Sequence, residues 1–268
     1  MEMTVHGETV FAATGGRAWV AGQPMVMFLH GAGMDHTVWA LQTRYFAHHG
    51  YNVAAIDFPG HGRSSGAPLT SIAAMADWVA AAAEGCGAAD LHLVGHSMGA
   101  LVALELGGRT PTPVVAAALL GVAAEMPVHP KLLAAAEAGD HWAFEAIVDW
   151  GFAADAHVGG QAAPGTSVTG AGLRLLESGD PAALACDFSA CDSYQAAPAR
   201  AATMRAPCLV LTGARDKMAP AGKARPLAEA LAAGRLETLP ATGHMMMVEA
   251  PDRTLDSLIT FFDSVAAR

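Results

Sequence analysis

The chain has 268 residues, 53% hydrophobic and 15% charged, so it is expected to bury a large core and is neither disordered nor fibrous. Lys and Arg number 15 against 25 Asp and Glu, a formal charge of -10 with no basic run. This excludes nucleic acid and anionic membrane surfaces as partners attracted by a long-range field.

The chain opens with a hairpin pattern, residues 3–6 and 9–20, broken at Gly7, Gly15-Gly16 and Gly22. Short apolar runs then alternate with longer helical patterns. Runs at 25–29, 53–56, 91–94, 114–120, 208–211 and 236–239 lack polar alternation, as expected of strands covered on both faces. Helices are predicted at 36–49, 71–84, 98–107, 221–233 and 251–267. The alternation predicts an α/β fold with a mostly parallel sheet wrapped by helices. Between Gly121 and Cys208 no strand is legible, over far more chain than one crossover helix needs. The patterns there are helical, at 131–138, 140–150, 171–177 and 181–191, with a Gly-rich loop at 159–170. Residues 122–204 are therefore expected to form a helical cap with a mobile loop in its middle, over a core built from 1–121 and 205–268.

The most apolar stretch, 113–124, falls short of the roughly 20 residues a membrane helix needs, so no membrane span is expected. The N-terminus shows no apolar run followed by a cleavage site, so no export signal is expected either. Cys86, Cys186, Cys191 and Cys208 form no CxxC pair and have no His at metal-ligand spacing. A reduced cytoplasmic protein without metal or cofactor is the expectation.

The sharpest chemical signal is Gly95-His96-Ser97-Met98-Gly99, a G-x-S-x-G between a predicted strand and a predicted helix. A tight strand-to-helix turn holds the serine hydroxyl out at the end of the sheet. The Met98 N–H then lies at a helix N-terminus, which favours developing negative charge. A serine needs a base oriented by a third group. His244 and Asp216 follow the last two strands, where open α/β sheets build their sites, although Glu125 or Asp149 could orient the base instead. His96 is read as supporting the turn. The glycine-rich His30-Gly31-Ala32-Gly33 after the first core strand offers the Ala32 N–H as a second oxyanion donor. Met98, Met126, Met245, Met246 and Met247, with Trp142, Phe144, Trp150 and Phe152, supply side chains for an apolar pocket. Of these, Trp142, Phe144, Trp150, Met126 and Met245 are the candidates to line it. The cations nearest its mouth are Arg63, Arg215 and Lys217, so a strongly anionic substrate is not expected.

These segments, with Asp57-Phe58-Pro59-Gly60-His61-Gly62-Arg63-Ser64, resemble the α/β-hydrolase superfamily over nearly the whole chain outside the cap. The resemblance implies that fold, catalysis by Ser97, Asp216 and His244, and oxyanion donors at Ala32 and Met98. Serine at 97 separates the chain from branches that form an ester on aspartate. The function expected is a serine hydrolase of small to medium apolar carboxylic esters, working through an acyl-enzyme on Ser97. A carbon-carbon bond hydrolase of ring-cleavage products, an acyltransferase and a triad-bearing small-molecule receptor are the alternatives.

Overall fold

A computed structural model describes residues 1–88, 90–159 and 165–267. Its eight strands are β1 Glu2–Val5, β2 Glu8–Ala13, β3 Met25–Leu29, β4 Asn52–Ile56, β5 Leu91–His96, β6 Val114–Leu120, β7 Cys208–Gly213 and β8 Gly234–Leu239. They form one sheet in the order β1-β2-β4-β3-β5-β6-β7-β8. The β1–β2 hairpin joins β4 antiparallel, and every other pairing is parallel. The continuous apolar run Met25–Leu29 is buried at every position, as is β4, because helices cover both faces.

Outside the insertion the helices are α1 Ala40–His48, α2 Ile72–Gly85, α3 Met98–Gly107, α10 Ala221–Ala230, α11 Met246–Glu249 and α12 Pro251–Ala266, with a 3-10 turn at His36–Trp39 before α1. Helices α2 and α3 pack together on one face of the sheet. On the opposite face α1 and α12 meet through Phe46 and Phe262, whose ring centroids lie 5.6 Å apart.

Between β6 and β7 runs a wholly helical insertion among the described residues: α4 Pro130–Glu137, α5 Trp142–Gly151, α6 Ala154–His157, α7 Val168–Ser178, α8 Pro181–Asp192 and α9 Ala197–Thr203. The predicted helices at 131–138, 140–150, 171–177 and 181–191 correspond to α4, α5, α7 and α8. The Gly-rich stretch 159–170 is not all loop, because α7 already begins at Val168, capped by the Ser167 hydroxyl on the Gly170 N–H. Residues 160–164, at the middle of the predicted mobile loop, lie outside the described residues.

The strand order fixes where a site can form. The chain leaves β3 toward β4 on one side and later returns to β5 on the other, so the connections diverge at the C-terminal ends of β3 and β5 and leave a crevice. Those ends are level, Leu29 opposite Gly95. Loop 30–33 and the turn at Ser97 therefore face each other across the crevice.

Candidate active site

The turn at Ser97 follows from its two glycines. A Cβ on Gly95 would drive into the Gly99 carbonyl, and one on Gly99 would strike the Leu29 carbonyl and come within 2.7 Å of that of His30. Only glycine at both positions lets α3 start directly over the end of β3. Ser97 consequently sits at φ 52° and ψ -113°, a conformation open to glycine and strained for any L side chain. From Leu91 through Gly108 every residue is buried except Ser97. Ser97→Gly is therefore expected to raise unfolding stability by about 1 kcal/mol, readable in urea denaturation, while removing the hydroxyl of the turn.

Asp216 and His244 are held together by their own loops. A Cβ on Gly213 would collide with the carbonyls of Gly243 and Thr242, so a glycine is needed for the chains after β7 and β8 to touch. The Arg215 N–H donates to Thr242 O at 2.8 Å and locks the contact. Asp216 then accepts the Met218 and Ala219 N–H groups on Oδ1, both at 2.8 Å, and faces His244 Nδ1 with Oδ2 at 2.8 Å. Burial opposes ionisation of this carboxyl, but the charge and hydrogen bond of His244 and the two N–H donors hold it below the ordinary aspartate value. With Nδ1 facing Asp216, the imidazole nitrogen of His244 left for another partner is Nε2. Glu125 and Asp149, the other candidate carboxylates, are both exposed.

Three contacts tie His244 to the Ser97 turn. Its ring lies against Gly121, where an added Cβ would come within 2.9 Å of Nδ1. The preceding carbonyl, Leu120 O, accepts the Ser97 N–H at 2.8 Å. His96 Nε2 donates to the His244 carbonyl at 3.1 Å, and burial drives its pKa well down, keeping the ring neutral. His96 thus supports the histidine loop rather than the serine turn alone. The insertion contributes as well, since the N–H of His244 donates to Gly151 O at 2.7 Å and Glu249 accepts from both Ala153 N and Gly243 N.

A cavity of about 550 Å³ opens beside Ser97. Ala32 and Ser97 both line it, and the Ala32 N–H has no acceptor within the protein among the described residues. Met126, Trp150 and Phe188 form its walls. Of the other predicted pocket residues, Trp142 stands behind Trp150, 6.0 Å away and edge-on, with Lys131 over its ring. Phe144 packs inside the insertion against His141, at the apolar face of α5. Met245 faces a second cavity of about 400 Å³ beside α7. Met98 is fully buried under the turn, so only its backbone N–H is in a position to serve the site. Arg63 reaches Glu2 and Phe11, and Arg215 pairs with Asp155.

The sequence reading missed Asp187. This α8 carboxylate is fully buried and accepts both the Gly33 N–H and His61 Nε2 at 2.9 Å. The other His61 nitrogen faces Pro59 O at 3.0 Å, so both ring nitrogens meet acceptors, an arrangement that favours the imidazolium. Burial opposes the charge, but Asp187 raises the His61 pKa above the ordinary value. His30, 5.0 Å away, is the opposite case: it donates from Nδ1 to Gly31 O and accepts the Phe58 N–H on Nε2. Burial first, then the charge of His61, lower its pKa to about 3. Because the folded value of His61 is raised, the ion pair stabilises fully below about pH 6.5 and its contribution is lost as pH rises through the folded value. The difference in melting temperature between the wild type and Asp187→Asn is expected to be largest near pH 6 and to shrink toward pH 9.

Asp35, His36 and Asp57, unconnected by any sequence pattern, lie close enough together to share an ion. The Asp57 carboxylate already accepts the N–H groups of His36 and Arg63 and the His36 ring nitrogen, which ties loop 57–64 to the end of β4.

Residues 26–257 match the family model described as "Alpha/beta hydrolase family". This chain belongs to that family. A pimeloyl-[acyl-carrier protein] methyl ester esterase of Chromobacterium violaceum is 32% identical over 82% of this chain and 87% of its own length. The acetyltransferase component of an acetoin cleaving system from Pseudomonas putida is 30% identical over 90% of this chain and 63% of its own length. The chain spans well under half of two further curated relatives it matches, 26% and 37% of their lengths. Among solved structures, the enol-lactonase of Burkholderia xenovorans superposes with a TM-score of 0.87 at 22% identity, covering 98% of this chain and 100% of its own. A thermophilic esterase of Thermogutta terrifontis gives 0.85 at 19% identity over 99% and 98%. These likenesses are to the fold. Among the described residues no helix is long and apolar enough to cross a membrane.

Proposed function

We propose that the protein is a serine hydrolase of small to medium carboxylic esters with an apolar acyl body, and that residues 122–204 act as the cap that shapes its pocket. The observation that carries this reading is Ser97, the one unburied residue of a strained strand-to-helix turn, opening onto an apolar cavity beside the Asp216–His244 pair. Ser97 Oγ attacks the ester carbonyl carbon while its proton passes to His244 Nε2. The oxyanion receives the N–H groups of Ala32 and Met98. Collapse breaks the carbonyl-oxygen bond to the alcohol, which leaves with the proton from His244. Water then attacks the acyl-enzyme, gives one proton to His244 and releases the acid as Ser97 regains its hydrogen. Asp216 stabilises the imidazolium in both halves without taking its proton. The esterase and lactonase neighbours support this class of chemistry.

The test follows p-nitrophenyl esters of increasing acyl length from the first turnover onward. Sustained release is expected, with the best chain length reporting the size of the pocket. A single-equivalent burst that stalls would contradict hydrolysis and favour transfer to an acceptor other than water.

A further inference from the structure

The chain has only three lysines, Lys131, Lys217 and Lys223, and two of them line the cavity that Ser97 opens into. Lys131 is engaged elsewhere, 4.0 Å over the Trp142 ring. Lys217 follows Asp216 directly, and Lys223 lies in the first turn of α10; both are exposed. The Lys217 ammonium has a long 3.4 Å contact to the Asp149 carbonyl. Neither lysine has a carboxylate at ion-pair distance among the described residues, although acids outnumber bases 25 to 15. Arg63, Arg109, Arg174, Arg200, Arg215 and Arg235 are all paired with acids.

The cavity lining has no countercharge. No Asp or Glu contributes to it among the described residues; its other titratable side chains are those of His129 and Cys191. Burial pushes the Cys191 thiol far up, so that group is neutral. Apart from Ser97, His129, Cys191 and the two lysines the lining residues are apolar, and both lysines are exposed to solvent. A ligand complementary to that distribution has an apolar body and one anionic end. Two ammonium groups without an arginine fork suit a carboxylate held as a point charge rather than bidentately.

We propose that Lys217 and Lys223 form an anion subsite, and that the preferred substrates are esters whose acyl chain ends in a carboxylate away from the scissile bond. This rests on the serine-hydrolase reading and changes its substrate from apolar esters to half-esters of dicarboxylic acids, reversing the expectation from sequence that an anionic substrate is not favoured, because Lys223 joins Lys217 on the cavity lining. The chain as a whole is acidic, so the subsite also discriminates: an anionic substrate is repelled elsewhere and attracted at this rim.

The experiment compares monomethyl and dimethyl esters of glutaric, adipic and pimelic acids, which share scissile bond and length and differ in one charge. At low salt the monomethyl esters are expected to be favoured in kcat/KM by about tenfold. The ratio should fall toward one in about 1 M NaCl, where the screening length is roughly 3 Å. Lys217→Gln/Lys223→Gln together should bring it near one, and Lys223→Gln alone, which does not adjoin Asp216, should lower it by about threefold. Arg235→Gln, the same charge change on β8 away from the cavity, should leave it unchanged. Ser97-dependent cleavage of the dimethyl esters with no preference for the monomethyl forms, or a preference the double variant keeps, would overturn the subsite and leave the hydrolase reading standing. Failure to cleave either series, with no Ser97-dependent turnover of p-nitrophenyl esters, would overturn both.

Discussion

Ser97→Ala is expected to lower kcat on p-nitrophenyl esters by about 10⁴-fold to 10⁶-fold, with little change in KM. In the proposed mechanism the hydroxyl is the atom that forms the acyl-enzyme, and no neighbour on the turn can substitute for it. Every other residue from Leu91 through Gly108 is buried, and the only thiol on the cavity wall among the described residues, Cys191, is held neutral by burial. The residual rate would come from the oxyanion donors and the apolar cavity, which the variant retains. Alanine meets the same backbone strain as serine at φ 52°, so its stability should match the wild type. The pair Ser97→Ala and Ser97→Gly thus separates chemistry from strain: both lose turnover, and only the glycine variant gains stability.

Asp216→Asn should lower kcat by about 10⁴-fold with the fold intact. The present carboxylate takes two N–H donors on Oδ1 and faces His244 Nδ1 with Oδ2. An asparagine can keep its carbonyl on Met218 and Ala219, which leaves its NH₂ pointing at Nδ1. That donor forces His244 to carry its proton on Nε2, the nitrogen that in the proposed mechanism receives the proton of Ser97. A drop below about tenfold would move the orienting role away from Asp216.

Much of the sheet was legible because its strands are buried on both faces. Met25–Leu29 and Val114–Leu120 are uninterrupted apolar runs and match β3 and β6 end to end. β8 begins at Gly234, two residues before its apolar run, because an edge strand is half-exposed there and carries Arg235. Helix α9, Ala-Pro-Ala-Arg-Ala-Ala-Thr, has too few large side chains to show a period. The start of α7 is hidden by glycines that serve packing, since a Cβ on Gly172 would press on Phe152 at 3.0 Å.

The candidate site residues divide along the same line. Ser97, Asp216 and His244 could be proposed from the sequence because each sits in a short motif at the end of a strand. The contact of His96 with the His244 carbonyl joins positions 148 apart, and nothing local marks it. Asp187 did leave a signal: with Leu184, Phe188 and Cys191 it falls on the buried stripe of α8, and an acid on an apolar stripe must have a partner. Trp142 and Phe144 share a helix with Trp150, and aromatic content alone could not distinguish a cavity wall from the layer behind it.

The most direct test of the account is mass spectrometry of the intact protein after reaction with a fluorophosphonate, followed by peptide mapping. One adduct per chain on Ser97, absent from Ser97→Ala and strongly slowed in Asp216→Asn, is the predicted result. No adduct, or an adduct on another residue that persists in Ser97→Ala, would contradict it.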